Sequence, residues 1–327
     1  MRCSASTSDK SSGRKFAQQF CARSAPQRRD AASSAACVST SPKAVVFFFP
    51  FVSPIARGEC AATTAKMYSW DGKLMNSAGG GMNFHGIGIQ RGYLEDPGPE
   101  HDWARKTLFA CGGAMAMDAR VFDELGGFDE EFFAYYEDVD LGWRTWIAGY
   151  EVLYTPLSVC YHHHSSTSRR MPMEMIRLLQ VRNPLLACFK NYGDEAFGKV
   201  FPALLALSVR RMFASAGIED DGPFRIQNAV TDATGPVRKM WERARGGVSE
   251  TFPLTRVATA DFIGMNDLLG NWDAWMERRR AVQSTRQRAD EEIFRLFLKP
   301  RQEDFQLLAS ALTLGEPSLG GLQAVLE

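Results

Sequence analysis

No stretch of this 327-residue chain approaches the roughly 18 consecutive apolar residues that cross a bilayer as a helix. No Cys-x-x-Cys pair occurs either. The seven cysteines stand apart at positions 3, 21, 37, 60, 111, 160 and 188, which argues against a zinc knuckle or a disulfide framework and for a reducing cytoplasm. Net charge is also absent, because 38 Lys and Arg balance 38 Asp and Glu. The balance is uneven: residues 1–66 hold ten basic against three acidic residues, and the remainder 28 against 35. An acidic main body is no general binder of polyanions, so nucleic acid is not expected as a partner.

What is present supports a substantial core: 45% of residues are hydrophobic and seven are tryptophan. Residues 1–66, rich in Ser, Ala, Arg and Cys, show no sustained helical or strand period and read as a disordered or mis-started leader. Their apolar patch AVVFFFPFV is short and interrupted by Pro50. From Lys66 the texture changes. A turn at Asp71-Gly72 precedes glycines at 79–81, 86 and 88, the pattern of a hairpin whose backbone turns tightly. TLFACGGAMAM reads as a buried strand broken at Gly112-Gly113, and DARVFDELGG as a short helix capped by Asp118 with Val121, Phe122 and Leu125 inward.

The stretch Gly126–Ser168 organises the rest. Glu137, Asp138 and Asp140 crowd the first turn of a helix over about 137–148, where the macrodipole favours acids and lowers the pKa of Asp138. Trp143, Trp146 and Ile147 form its apolar stripe, and Gly149 stops it. Two extended runs follow, EVLYTP and SVCYHHH. Alternation puts Cys160, His162 and His164 on one face of the second, Tyr161 and His163 on the other. Beyond Ser168 the chain turns helical. Pro184 is expected to kink or divide the helix RRMPMEMIRLLQVRNPLLACFKNYG near Gln180, and Asn271 to cap a long amphipathic helix over NWDAWMERRRAVQSTRQRADEEIFRLF. The basic face of that helix (Arg278, Arg279, Arg280, Arg286, Arg288) reads as solvated, with anionic lipid headgroups as the alternative.

The run CGGAMAMDARVFDELGGFDEEFFAYYEDVDLGWRTWIAGYEVLYTP with its following YHHHSSTS resembles the catalytic-centre half of inverting family 2 glycosyltransferases, more narrowly their rhamnosyltransferase-like members. The similarity runs from about Lys66 to Asn191 and, more loosely, from Asp261 to Phe297. It implies an α/β fold: a partial GT-A-type mixed sheet over residues 67–170 with a helical extension over 171–327. It also implies transfer of a sugar, with inversion, from a nucleotide-diphospho-sugar donor to a saccharide or lipid-linked saccharide acceptor. The setting would be the cytoplasm, at the inner face of the membrane, with peripheral contact through the C-terminal helices. One departure is plain. The family opens with a nucleotide-binding half and an Asp-x-Asp metal motif, whereas before Lys66 the acids are Asp9, Asp30 and Glu59, none paired.

Inverting transfer needs a base for the acceptor hydroxyl, a cation for the leaving diphosphate and a groove that aligns the two. The resemblance assigns Asp138 as base, Glu137 to orient it or the acceptor, and His162 as ligand of Mn²⁺ or Mg²⁺. A single histidine does not hold a divalent cation, so the missing Asp-x-Asp weakens the metal assignment. By the resemblance and their lack of bulk, Gly112, Gly113 and Ala114 would line the sugar or acceptor pocket, and Trp143 would stack on a sugar ring, with a core position as its alternative. Arg144, four residues after Asp140, is expected in an intrahelical ion pair. Two rival readings stand beside catalysis: a non-catalytic saccharide-binding module, and a small zinc protein built on His162, His163 and His164.

Overall fold

The computed structural model describes residues 35–39, 48–162, 171–215 and 256–298. A mixed sheet forms its centre. Strands β1 (Ala35–Ser39), β2 (Ala62–Ser69), β3 (Met75–Ser77), β6 (Arg105–Lys106), β7 (Ala114–Asp118) and β8 (Val152–His162) join in the order β1-β7-β2-β8-β6, with β3 also on β2. Only β2 and β8 run parallel; β4 (Gly80–Met82) and β5 (Gly88–Gln90) make a separate hairpin. That hairpin is where the glycine run pointed, and Gly79, Gly86 and Gly72 all take left-handed φ.

The sheet is covered on both faces, which explains its composition. On one side Ala65, Met67, Ala114, Ala116 and Cys160 form a small core with Phe51 and Ile55 of helix α1 (Phe48–Ala56). Small side chains let α1 lie close, and Thr63 Oγ1 donates to the Phe51 carbonyl at 2.7 Å. Ala62, Met115, Met117 and Val152 point the other way, into the main core. There α2 (Ala119–Glu124) and α3 (Glu137–Ile147) follow β7, and α3 packs on α4 (Met173–Asn191). Helices α5 (Asp194–Ser215), α6 (Arg256–Gly270), α7 (Trp272–Ser284) and α8 (Asp290–Phe294) complete the C-terminal layer. Among the described residues no helix is long and apolar enough to cross a membrane.

Three expectations are corrected. First, the disordered leader does not extend to residue 66: α1 and most of β2 lie before that boundary, which cuts a central strand. A strand buried on both faces has no alternation to read. Pro50 falls in the first turn of α1, where its missing N–H would have had no intrahelical partner. Residues 1–34 and 40–47 lie outside the described part. Second, of the two outcomes expected at Pro184, division does not occur: α4 runs through it as one helix. The expected long C-terminal helix, by contrast, is two, α7 and α8. The break after Ser284 lets the Gln287 N–H reach the Ile147 carbonyl at the end of α3. Third, the basic residues of that segment mostly point inward. Arg279 is buried and donates to the carbonyls of Phe189 and Tyr192, Arg278 pairs with Asp129 and Glu131, and Arg286 pairs with Asp290. Arg288 donates to the Gly149 carbonyl and lies over the Trp146 ring, leaving Arg280 exposed. A helix whose arginines satisfy carbonyls of its own fold does not offer them to lipid headgroups.

Candidate active site

Asp118 caps α2 as its sequence position implies, accepting from the Arg120 N–H at 2.8 Å. The chain then enters the segment 126–136, which is strained. Phe133, Tyr135 and Tyr136 all hold left-handed φ (59°, 64° and 70°), a region bulky residues seldom occupy. Two contacts hold them there. The Asn183 side-chain amide, on α4, donates to the carbonyls of Phe132, Ala134 and Tyr135 at 2.8–2.9 Å. The Tyr136 hydroxyl accepts the Gly88 N–H of the glycine hairpin at 2.9 Å. Nothing in the sequence marked Asn183; it is an ordinary mid-helix residue until the loop is folded over it.

This arrangement delivers Glu137 and Asp138 to the start of α3. Asp138 accepts two backbone N–H bonds, Gly112 at Oδ2 (2.9 Å) and Val139 at Oδ1 (2.8 Å). Glu137 is less well held: its Oε2 is buried without a partner. Both side chains keep some solvent access, yet protein surrounds them closely. Burial therefore raises the pKa of Glu137, and the adjacent Asp138 charge raises it further. Asp138 is raised by burial as well, against the pull of the Gly112 and Val139 N–H groups. The expectation that the helix start would lower Asp138 is thus corrected, because desolvation outweighs the dipole. Of the two, Asp138 is the one built to carry the negative charge.

His162 ends β8. Its Nδ1 lies 2.9 Å from Asn76 Oδ1, a hydrogen bond that fixes the ring's orientation. The Gly112-Gly113 pair lies between these groups. A Cβ at Gly112 would sit 3.7 Å from Asp138 Oδ2 and 3.9 Å from Glu137 Oε1, and one at Gly113 would sit 3.4 Å from His162 Nε2. Glu137, Asp138, Gly112, Gly113 and His162 therefore converge. Two predicted site residues do not join them. Ala114 is buried in the small core under α1. Trp143 is fully buried, edge-on to the Tyr192 and Phe297 rings, so a sugar-stacking role is corrected to a core one.

Asp140 belongs elsewhere too. It is fully buried, with Lys190 at 3.0 Å, Arg144 at 2.8 Å and the Asn191 amide at 2.9 Å. Burial raises its pKa, but Lys190 and Arg144 prevail and hold it down at about 2. Arg144 continues to the carbonyls of Leu125 and Gly127, ending α2. The expected i,i+4 pair exists and is a structural tie. Among the described residues no set of three His, Cys, Asp or Glu ligand atoms gathers around His162, so they do not by themselves build a cation site there. His163 and His164 lie outside the described residues.

No family model matches the chain. Over 68 residues, 21% of the chain, it is 39% identical to the N-acetylglucosaminyl-diphospho-decaprenol L-rhamnosyltransferase of Mycobacterium tuberculosis, of which this covers 22%. Over 123 residues, 36% of the chain, it is 30% identical to the O-antigen biosynthesis protein RfbC of Myxococcus xanthus, of which this covers 10%. The chain thus spans about a fifth and about a tenth of these curated relatives. A crystal structure of GalNAc-T7 with UDP, GalNAc and Mn²⁺ aligns with 67% of this chain and 40% of its own, at 14% identity and a TM-score of 0.33. A likeness that low carries no argument.

Proposed function

We propose that this chain carries the acceptor-side catalytic centre of an inverting glycosyltransferase of GT-A type. In this reading it moves a sugar from a nucleotide-diphospho-sugar to a saccharide or lipid-linked saccharide. One observation carries the reading: a carboxylate fixed by two backbone N–H groups lies beside one glycine of an adjacent pair, and an imidazole lies beside the other. The partial sequence similarity to a rhamnosyltransferase and an O-antigen biosynthesis protein supports it.

Asp138 takes the proton from the acceptor hydroxyl as its oxygen attacks the anomeric carbon. The new C–O bond forms on the face opposite the breaking bond to the diphosphate, which leaves with the bonding electrons. The Gly112 and Val139 N–H groups fix the carboxylate's orientation, so little reorganisation is needed as the proton arrives. Glu137, the more readily protonated partner, donates a hydrogen bond to the acceptor or to Asp138. Gly112 and Gly113 leave the space in which the sugar lies. His162 faces the donor end. The described residues do not complete a Mn²⁺ or Mg²⁺ site around it.

The test is transfer itself: the chain is incubated with a panel of nucleotide-diphospho-sugars and saccharide or polyprenyl-linked acceptors, and products are read by mass spectrometry and anomeric NMR. An inverted glycoside that disappears with Asp138→Asn supports the reading. Parental turnover by Asp138→Asn refutes it, and acceptor binding without transfer from any donor establishes the saccharide-binding alternative instead.

A further inference from the structure

Upstream of the Gly112-Gly113 pair, a second group of ligand-type side chains meets where the loop after β5 returns to the sheet edge. His101 ends the short turn Pro99–His101, and its side chain is only 3% exposed. Its Nε2 lies 3.2 Å from Glu95 Oε2 and 3.3 Å from Glu100 Oε1, and one ligand atom from each residue lies within 4.8 Å of the others. Yet neither ring nitrogen makes a hydrogen bond. A buried imidazole with both nitrogens unsatisfied, one of them beside two carboxylates, is costly unless something else stands among them.

A charged imidazolium is a poor answer. The side chain is almost wholly buried, and burying an imidazolium costs more than burying a neutral ring. The neutral ring keeps a lone pair for a cation. Zinc-like ions hold nitrogen and oxygen at about 2.0–2.2 Å, so two ligands of one tetrahedral ion lie about 3.4 Å apart. The observed 3.2 and 3.3 Å match that spacing. The ring is also held in place. It rests on Gly92, where φ is +76° and a Cβ would come 2.8 Å from Cε1, and the His101 carbonyl accepts the Tyr154 hydroxyl at 2.7 Å.

We infer that Glu95, Glu100 and His101 bind a divalent transition cation of the zinc type, with water completing the shell on the exposed side. The ion acts as a clip. Glu95 and Leu94 exchange backbone hydrogen bonds with Met75, next to Asn76, which orients His162. Fastening residues 94–101 therefore steadies the strand that holds that imidazole. The inference does not depend on the proposed transfer reaction.

The full chain, stripped of metal, is titrated with Co²⁺ and followed by visible absorption, then with Zn²⁺ by calorimetry and thermal melting. One equivalent is expected in a Co²⁺ site of low symmetry, with a higher melting midpoint in Zn²⁺. Glu100→Gln changes an exposed carboxylate and leaves the packing intact. Losing an outer-shell partner already costs about 10–100-fold in metal affinity, so losing this direct ligand should cost at least about 100-fold. His101→Gln should do the same, while His162→Ala should leave the band unchanged. No binding by the parent chain overturns the inference. So does parental affinity in Glu100→Gln, or a Co²⁺ band abolished by His162→Ala.

Discussion

Asp138 and Asp140 stand two residues apart in the first turn of α3, and their surroundings share almost nothing. Asp138, beside Glu137, faces the glycine pair and is steadied only by backbone N–H groups. Asp140 is sealed between Lys190, Arg144 and Asn191. Two residues turn a helix by about 200°, so neighbours in sequence face opposite sides. One side ties α3 to α4 and to the end of α2. The other keeps acids where burial raises their pKa. A carboxylate paired with cations has spent its proton affinity on structure; one held by dipoles alone still has it for a substrate.

The sharpest way to break this contrast is Asp138→Asn in the transfer assay. A general base contributes about 10²–10⁴-fold, so turnover should fall by that much. The melting midpoint should change little, because relief from burying a carboxylate offsets the one backbone N–H that the amide NH₂ cannot accept. A loss of folding in step with activity would erase the distinction.

Asp140→Ala should do the reverse. Removing one partner of a buried ion pair costs about 3–5 kcal/mol, since Lys190 and Arg144 keep their charges without an answer. Urea unfolding should show that loss, while the surviving folded fraction turns over at close to the parental rate. For the same reason Asp140→Asn is no neutral control for Asp138→Asn.

The two sides should also respond oppositely to pH. The folded pKa of Asp140 is depressed to about 2, so its stabilisation is present above the unfolded value and lost as pH falls from about 4 towards 2. That amounts to about 2 kcal/mol, and Asp140→Asn should flatten it. Glu137 and Asp138 are raised. Their contribution is fully present below about pH 4 and lost as pH rises through the raised values. Denaturant melts of Glu137→Gln against the parent should therefore show the variant gaining relative stability above about pH 4. The acid limb of the pH–rate profile should lie above the ordinary Asp value and belong to the pair.

The smallest expected effect is at Gly112→Ala. The new methyl meets nothing closer than 3.7 Å, and the φ of Gly112 is one any residue adopts, so stability should hold or rise by about 0.4–1 kcal/mol. If the space beside Asp138 admits the sugar, KM should rise; an unchanged KM would place the sugar elsewhere.

The helices α2 and α3, their cap and stop, and the acidic first turn were legible in the residues alone, because each rests on contacts within a few positions. Asp118 caps its own helix, and Gly149 takes a positive φ where α3 ends. The resemblance added the pairing of Asp138 with His162, which local pattern did not contain. Other features existed only after folding. β2 was invisible because burial on both faces removes alternation, and α1 because Pro50 counted against a helix. Trp143 and the arginines of α7 were misplaced because an amphipathic period says which residues share a face, not what that face meets. The division of labour between Asp138 and Asp140 was the least legible, since both are acids in one turn. What separates them is the electrostatic field of groups roughly 50 residues away in sequence, Lys190 and Asn191, and a glycine pair about 26 residues before. Desolvation and Coulomb energy depend on distance in space, and only the tertiary structure sets that distance.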